Sequence, residues 1–198
     1  IVKDITSGTS GSNPKYMTVF DSKIYFSAND AATNKGVELW SSDGTVSNTV
    51  LADNINTPAN QDSNPREFVV CNNILYFIAD YGGERLYSIT MGDSSATETT
   101  SIDTLEVLYC YNNYLYFKGD SDPNVDGEEL YKIYSPTSYE LVLQLPGDSE
   151  LKIFTQYQGS LYFRAKDGNG KQIWKYNGTN AATKITNYDS NNNNPDSL

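Results

Sequence analysis

The chain has 198 residues, with 14 Lys and Arg against 25 Asp and Glu, a formal charge of -11, and no histidine. That balance argues against a nucleic-acid partner or an anionic membrane surface, both of which need clustered Lys and Arg. Without histidine the chain lacks the commonest general base and metal ligand, and any Ser-His-Asp or Cys-His arrangement. There is no run of about 18 apolar residues to span a bilayer. The aromatic share of 13%, including 16 Tyr, is too high for a disordered chain. These features read as an acidic extracellular or cell-surface β-protein. The start at Ile1 rather than Met suggests a processed product or an excerpt.

The chain opens on "IVKDIT", residues 1–6, which matches a later strand, "TVLADNI", and is expected to be the last strand of a preceding or shared unit. "SNP" follows, with Pro14 marking a strand entrance, since proline cannot sit inside a ladder. Next come "KYMTVF", "KIYFSAND" and "VELWSSDG", and then a fourth strand, "NTVLADNI". In "KIYFSA", Ile24, Phe26 and Ala28 share one face while Tyr25 and Ser27 share the other, the period-2 pattern of a strand. Asp43-Gly44, and later Asn177-Gly178, tolerate positive φ and favour a tight hairpin.

The same phrases recur. The middle aromatics Tyr25, Tyr76, Tyr116 and Tyr162 are 51, 40 and 46 residues apart. The second phrase recurs at Trp40, Tyr87, Tyr131 and Trp174, spaced 47, 44 and 43. A period of 40–50 residues with four short strands per period and an aromatic motif in each points to a β-propeller. A β-solenoid is the alternative, though its coils are usually shorter. No segment shows a helical period. The expected fold is therefore all-β, a propeller-like array of four four-stranded antiparallel blades. The blades run over approximately 14–55, 65–105, 106–145 and 151–188, within one repeat region, 1–198. The end, "SNNNNPDSL", resembles the entrance "SGSNPKYM", so the chain stops where another unit would begin.

In the first unit Glu38, Leu39, Trp40, Asp43, Gly44 and Thr45 make up an ELWxxDGT phrase. With the surrounding "IYFSAND" and "SNP", it resembles the ELWxxDGT repeat family of secreted and surface proteins. The later units depart from the pattern. Arg85 separates Glu84 from Leu86, Tyr87 and Tyr131 replace Trp, and the turn survives only as Asn177-Gly178-Thr179. The resemblance implies a propeller-like fold outside the cell and carries no catalytic residues. The motif itself is a strand and its turn.

Few residues point to chemistry. The second-to-third-strand loops of units one and three are the longest, with 13 positions from Phe26 to Leu39 and from Phe117 to Leu130. Propellers often place binding loops on such an edge. The unit-three loop contains Asp120, Asp122, Asn124 and Asp126 in a D-x-N-x-D-G core, which resembles the start of an oxygen-ligand Ca²⁺ loop. Ile133 stands where a closing carboxylate would be needed, so it is not an EF-hand. The competing reading is an acidic turn.

Cys71 and Cys110 lie at near-equivalent places in neighbouring units and read as two buried free thiols, with a disulfide between converging blades as the alternative. Asn177 begins the chain's N-x-[ST] sequon, but it also occupies the repeat's own turn. No carboxylate pair stands out for glycosidase work, and no catalytic residue is assigned. The expectation is a non-catalytic extracellular structural or adhesive module, part of a larger surface protein or a self-assembling filament. Its partners would be other copies of itself or surface and matrix components. The alternative is a lectin-like propeller that binds glycans, with Ca²⁺ as its cofactor.

Overall fold

The computed structural model of the chain describes residues 1–58, 61–100, 102–120, 129–145 and 149–187. Among these residues there is no helix, and the strands form four sheets taken strictly in chain order. Blade one holds β1 (Lys15–Phe20), β2 (Lys23–Asp30), β3 (Gly36–Ser42) and β4 (Val50–Asp53). Blade two holds β5 (Arg66–Cys71), β6 (Ile74–Asp80), β7 (Glu84–Thr90) and β8 (Thr97–Thr100). Blade three holds β9 (Asp103–Tyr111), β10 (Tyr114–Asp120), β11 (Glu129–Ser135) and β12 (Ser138–Leu143). Blade four holds β13 (Lys152–Tyr157), β14 (Ser160–Asp167), β15 (Gly170–Tyr176) and β16 (Thr183–Lys184). Every pairing is antiparallel. The all-β, blade-by-blade organisation read from the repeats is the one the chain adopts.

The first two strands of each blade are joined by two residues that both take positive φ. These are Asp21-Ser22 (47°, 59°), Asn72-Asn73 (50°, 58°), Asn112-Asn113 (48°, 63°) and Gln158-Gly159 (44°, 68°). This is the primed turn whose twist matches the flanking strands, and Asn and Gly adopt it with least strain. The middle strands are covered on both faces, as their double alternation requires. Phe26 lies opposite Trp40 across the β2–β3 ladder, and both join Ala28 in one cluster. Tyr25 and Leu39, on the other face, pack with Leu75, Phe77 and Ala79 of blade two. Phe77 is wholly buried and stacks on Phe68 and Tyr87, with ring centroids 5.2 and 5.8 Å apart. Burying each such side chain is worth roughly 1.5–3 kcal/mol.

The chain divides into two compact units, residues 1–101 and 102–198. Blades one and two share their core in the first unit. Blades three and four share theirs in the second, where Tyr116 and Leu130 meet Leu161, Phe163 and Trp174.

Three expectations need correction. The second boundary falls between Thr100 and Asp103 rather than between 105 and 106, because β9 begins at Asp103, which pairs with Asp120. Neither Asp43-Gly44 nor Asn177-Gly178 closes a tight hairpin, the latter because residues 177–182 separate β15 from β16. Gly44 takes a φ of 93°, but β3 and β4 are separated by residues 43–49, whose polar side chains give the loop a structure of its own. Finally, residues 1–6 form no strand. Instead Ile5 packs against the Phe26–Ala28–Trp40 cluster, Lys3 donates to the Thr49 carbonyl at 2.7 Å, and Thr6 Oγ1 to the Asn29 carbonyl at 2.6 Å.

One glycine is fixed by its surroundings. Gly36 opens β3 at a φ of 74°, and a Cβ there would lie 2.3 Å from the Gln61 carbonyl oxygen and 2.5 Å from Asp62 Oδ1. Gly36→Ala should therefore destabilise the first unit by about 2–4 kcal/mol, since it adds a backbone clash to an unfavourable φ. Chemical denaturation measures this, and a change below about 0.5 kcal/mol would show that the connector at Gln61 moves aside freely.

Candidate functional site: a polar cleft between the first two blades

The ELWxxDGT phrase of the first unit is accounted for by architecture. Glu38 is fully buried, and its carboxylate accepts four hydrogen bonds. Ile55 N (2.8 Å) and Ser63 Oγ (2.6 Å) donate to Oε2; Asn56 N (3.4 Å) and Ser63 N (3.2 Å) donate to Oε1. The side chain thus clasps the connector leaving blade one to the residue that precedes blade two. Burial pushes its pKa up to about 7, against the donors, which favour the charged form.

Leu39 and Trp40 fill the two faces of the sheet. Asp43 Oδ1 accepts from Thr45 N (3.0 Å) and Thr45 Oγ1 (2.7 Å), and Oδ2 from Asn48 Nδ2 (2.7 Å). These bonds hold its carboxyl below the usual range. Asn177 does the same in blade four, its Oδ1 accepting from Thr179 N (3.1 Å), Thr179 Oγ1 (3.3 Å) and Asn180 N (3.0 Å). Gly44 and Gly178 have nearly the same φ, 93° and 92°. The sequon at Asn177 is therefore an exposed turn built like the one at Asp43.

Asp120 ends β10 opposite Asp103, while Asp122, Asn124 and Asp126 lie outside the described residues. Among the described residues no three His, Cys, Asp or Glu side chains are grouped to hold a metal. Cys71 and Cys110 are both disulfide-bonded and neither is a free thiol, which corrects the first reading of them. Across the middle of packed faces sheets lie about 10 Å apart, too far for a bridge. Each cysteine instead sits at the turn end of its blade's first strand.

A cleft of about 180 Å³ opens in the first unit, between the start of β1, the end of β2 and the approach to β5. It is lined by Asn13, Lys15, Tyr16, Ser27, Asn29 and Asn64, with Arg66 as one wall. Arg66 is committed to the fold: it donates to Asp80 Oδ1 and the Asn64 carbonyl at 3.2 Å and is paired with Glu84. The cleft's position follows from how blades are joined. Asn29 N donates to the Ser12 carbonyl (2.8 Å) and Asp80 N to the Ser63 carbonyl (2.7 Å), so each "SNP" phrase lies beside the end of the next blade's second strand. Lys166 N and the Ser149 carbonyl repeat the bond in blade four.

At the mouth of the cleft β1 carries a bulge, with its register broken between Lys15 and Thr18 and Tyr16 at a φ of 57°. The bulge turns a half-exposed Tyr16 outward. Glu67 and Val107 take the same φ in β5 and β9, at 55° and 57°, so the backbone strain belongs to the blade and not to a site. In the sequence "SNP" marks a strand entrance at Pro14 and again at Pro65. Its recurrence at Ser12 and Ser63 was the available signal.

No protein-family model and no curated protein matches the sequence. Among solved structures, a prolyl endopeptidase is similar with a TM-score of 0.56 at 11% identity, over 90% of this chain and 30% of that one. TolB from Acinetobacter baumannii is similar with a TM-score of 0.52 at 11% identity, over 90% of this chain and 45% of that one. The fold is of the β-propeller type. TolB from Agrobacterium tumefaciens gives 0.49 at 11% identity, over 82% and 60%. The chain spans 60% or less of the length of each of these proteins. Enzymes are among the neighbours, and at this identity the likeness concerns the fold alone.

Proposed function

We propose that the chain is a non-catalytic adhesive module of the extracellular space or cell surface, and that it holds a glycan partner in the cleft between blades one and two. The lining of that cleft carries the reading. It presents amides, hydroxyls, an ammonium and an exposed tyrosine, and no carboxylate. Such groups can hold a polyhydroxylated ligand by hydrogen bonding and stacking. Glycoside hydrolysis needs a pair of carboxyl groups across the scissile bond, and this lining supplies none. The resemblance of the first unit to the ELWxxDGT repeats of secreted and surface proteins supports the location.

A glycan array probed with and without Ca²⁺, followed by incubation with the retained glycans, tests this. The expected result is retention of a subset of glycans without new reducing ends. Release of reducing ends would make the chain an enzyme. Retention only with Ca²⁺ would move the ligand to the acidic loop at Asp120–Asp126.

A further inference from the structure

We infer that the cleft takes a single carboxylated sugar ring, of the uronic-acid class, with its carboxylate on Lys15. This rests on the reading of the chain as a glycan-binding module and names the ligand class.

An exposed lysine without a counter-ion is ordinary by itself. The company Lys15 keeps is not. Asn13, Lys15, Ser27, Asn29 and Asn64 line one cleft, and among the described residues their side chains have no hydrogen-bond or ion-pair partner. Ser27 is 3% exposed, yet its hydroxyl has no protein partner and faces the cleft. The hydroxyl is not among the buried polar atoms left without a partner, so it is open at the cleft and available to a ligand there. The amide groups and the hydroxyl each both donate and accept, which is the pattern that sugar hydroxyls present in return.

Charge selects among sugars. The chain carries -11 overall, which disfavours anions across most of its surface. Inside the cleft no carboxylate is in the lining, and Lys15 stands there as a positive charge without an ion-pair partner. Arg66, already held by Asp80 and Glu84, serves as a fixed wall and does not compete for the ligand's charge. Size limits the ligand as well: 180 Å³ is below the ~300–1,000 Å³ of pockets for drug-sized molecules, which suits one ring. The half-exposed Tyr16 at the rim offers a face to the ring's C–H side.

Titration calorimetry with free glucuronate and galacturonate, against glucose and galactose, tests the assignment on the whole chain. Lys15→Met, Lys15→Arg and Ser27→Ala are the variants, each checked for an unchanged far-UV spectrum. The uronates are expected to bind more tightly than the neutral sugars. Lys15→Met should weaken them by about ten- to a hundred-fold, the worth of a charge-assisted hydrogen bond, and weaken the neutral sugars by much less. Lys15→Arg should retain the preference, and Ser27→Ala should weaken both kinds of sugar. Equal binding of uronates and neutral sugars, or no effect of Lys15→Met, overturns the inference. If an array-positive protein binds uronates undisturbed by all three variants, the ligand sits elsewhere and this inference falls while the adhesive reading stands. If no glycan is retained on the array at all, both fall.

Discussion

Glu38→Ala is expected to destabilise the first unit by about 3–5 kcal/mol, more than any ordinary surface change. The side chain is fully buried, and its removal leaves the Ile55 and Asn56 amides without an acceptor and the Ser63 amide and hydroxyl with the Val37 carbonyl alone. An unsatisfied buried donor costs roughly 1–3 kcal/mol, partly relieved where water enters the gap. Urea unfolding followed by the fluorescence of Trp40 reads the loss. A change under about 1 kcal/mol would mean that water already serves these donors.

The same carboxyl predicts an unusual pH dependence. Its pKa is near 7 in the folded chain and near 4.5 when unfolded, so folding favours the protonated acid. Stability from this source is whole below about pH 4.5 and is lost as pH rises to about 7, by about 3 kcal/mol at roughly 1.4 kcal/mol per pKa unit. The protonated form suits the site because Ser63 Oγ can turn from donor to acceptor and receive the acid proton. Glu38→Gln should lose this slope between pH 4.5 and 7 while keeping most of the fold. Blade four accepts an amide at this position, where the buried Gln172 accepts a bond from Thr186 Oγ1 at 3.0 Å. Melting curves of the two proteins across that range give the comparison, and parallel slopes would assign the pH dependence to other groups. On the acid side the two proteins should behave alike, because Asp43, held low by Thr45 and Asn48, is present in both.

The blade plan was legible because it is written locally. Alternation in "KIYFSA" and its counterparts fixes which residues face each way, and the ladders from Phe26–Trp40 to Phe163–Trp174 bear it out. The turns were only half legible. The doublets Asn72-Asn73 and Asn112-Asn113 sit between apolar runs, in the two-residue pattern of a primed hairpin, and could have been read. Asp43-Gly44 misled because its hairpin reading ignored Thr45 and Asn48, whose side chains bind Asp43 and hold the loop open.

The role of Glu38 and the existence of the cleft were hidden for a different reason. Ser63 is 25 residues beyond Glu38, and Asn13, Ser27 and Asn64 come from separate segments. What brings them together is the stacking of one blade on the next. No period along the chain encodes that juxtaposition, which arises only when the sheets have packed.

The clasp at Glu38 also bears on how small a working piece of this chain can be. In a repeat protein whose units touch only through apolar faces, stability is close to a sum of unit and nearest-neighbour terms, and units can be added or removed almost freely. Here blade one carries an acid whose donors include both polar groups of Ser63, the residue that leads into blade two. Cut out alone at residues 15–53, blade one would keep a carboxylate shaped for partners it no longer has. The smallest piece that keeps this clasp whole is accordingly blades one and two with their connector.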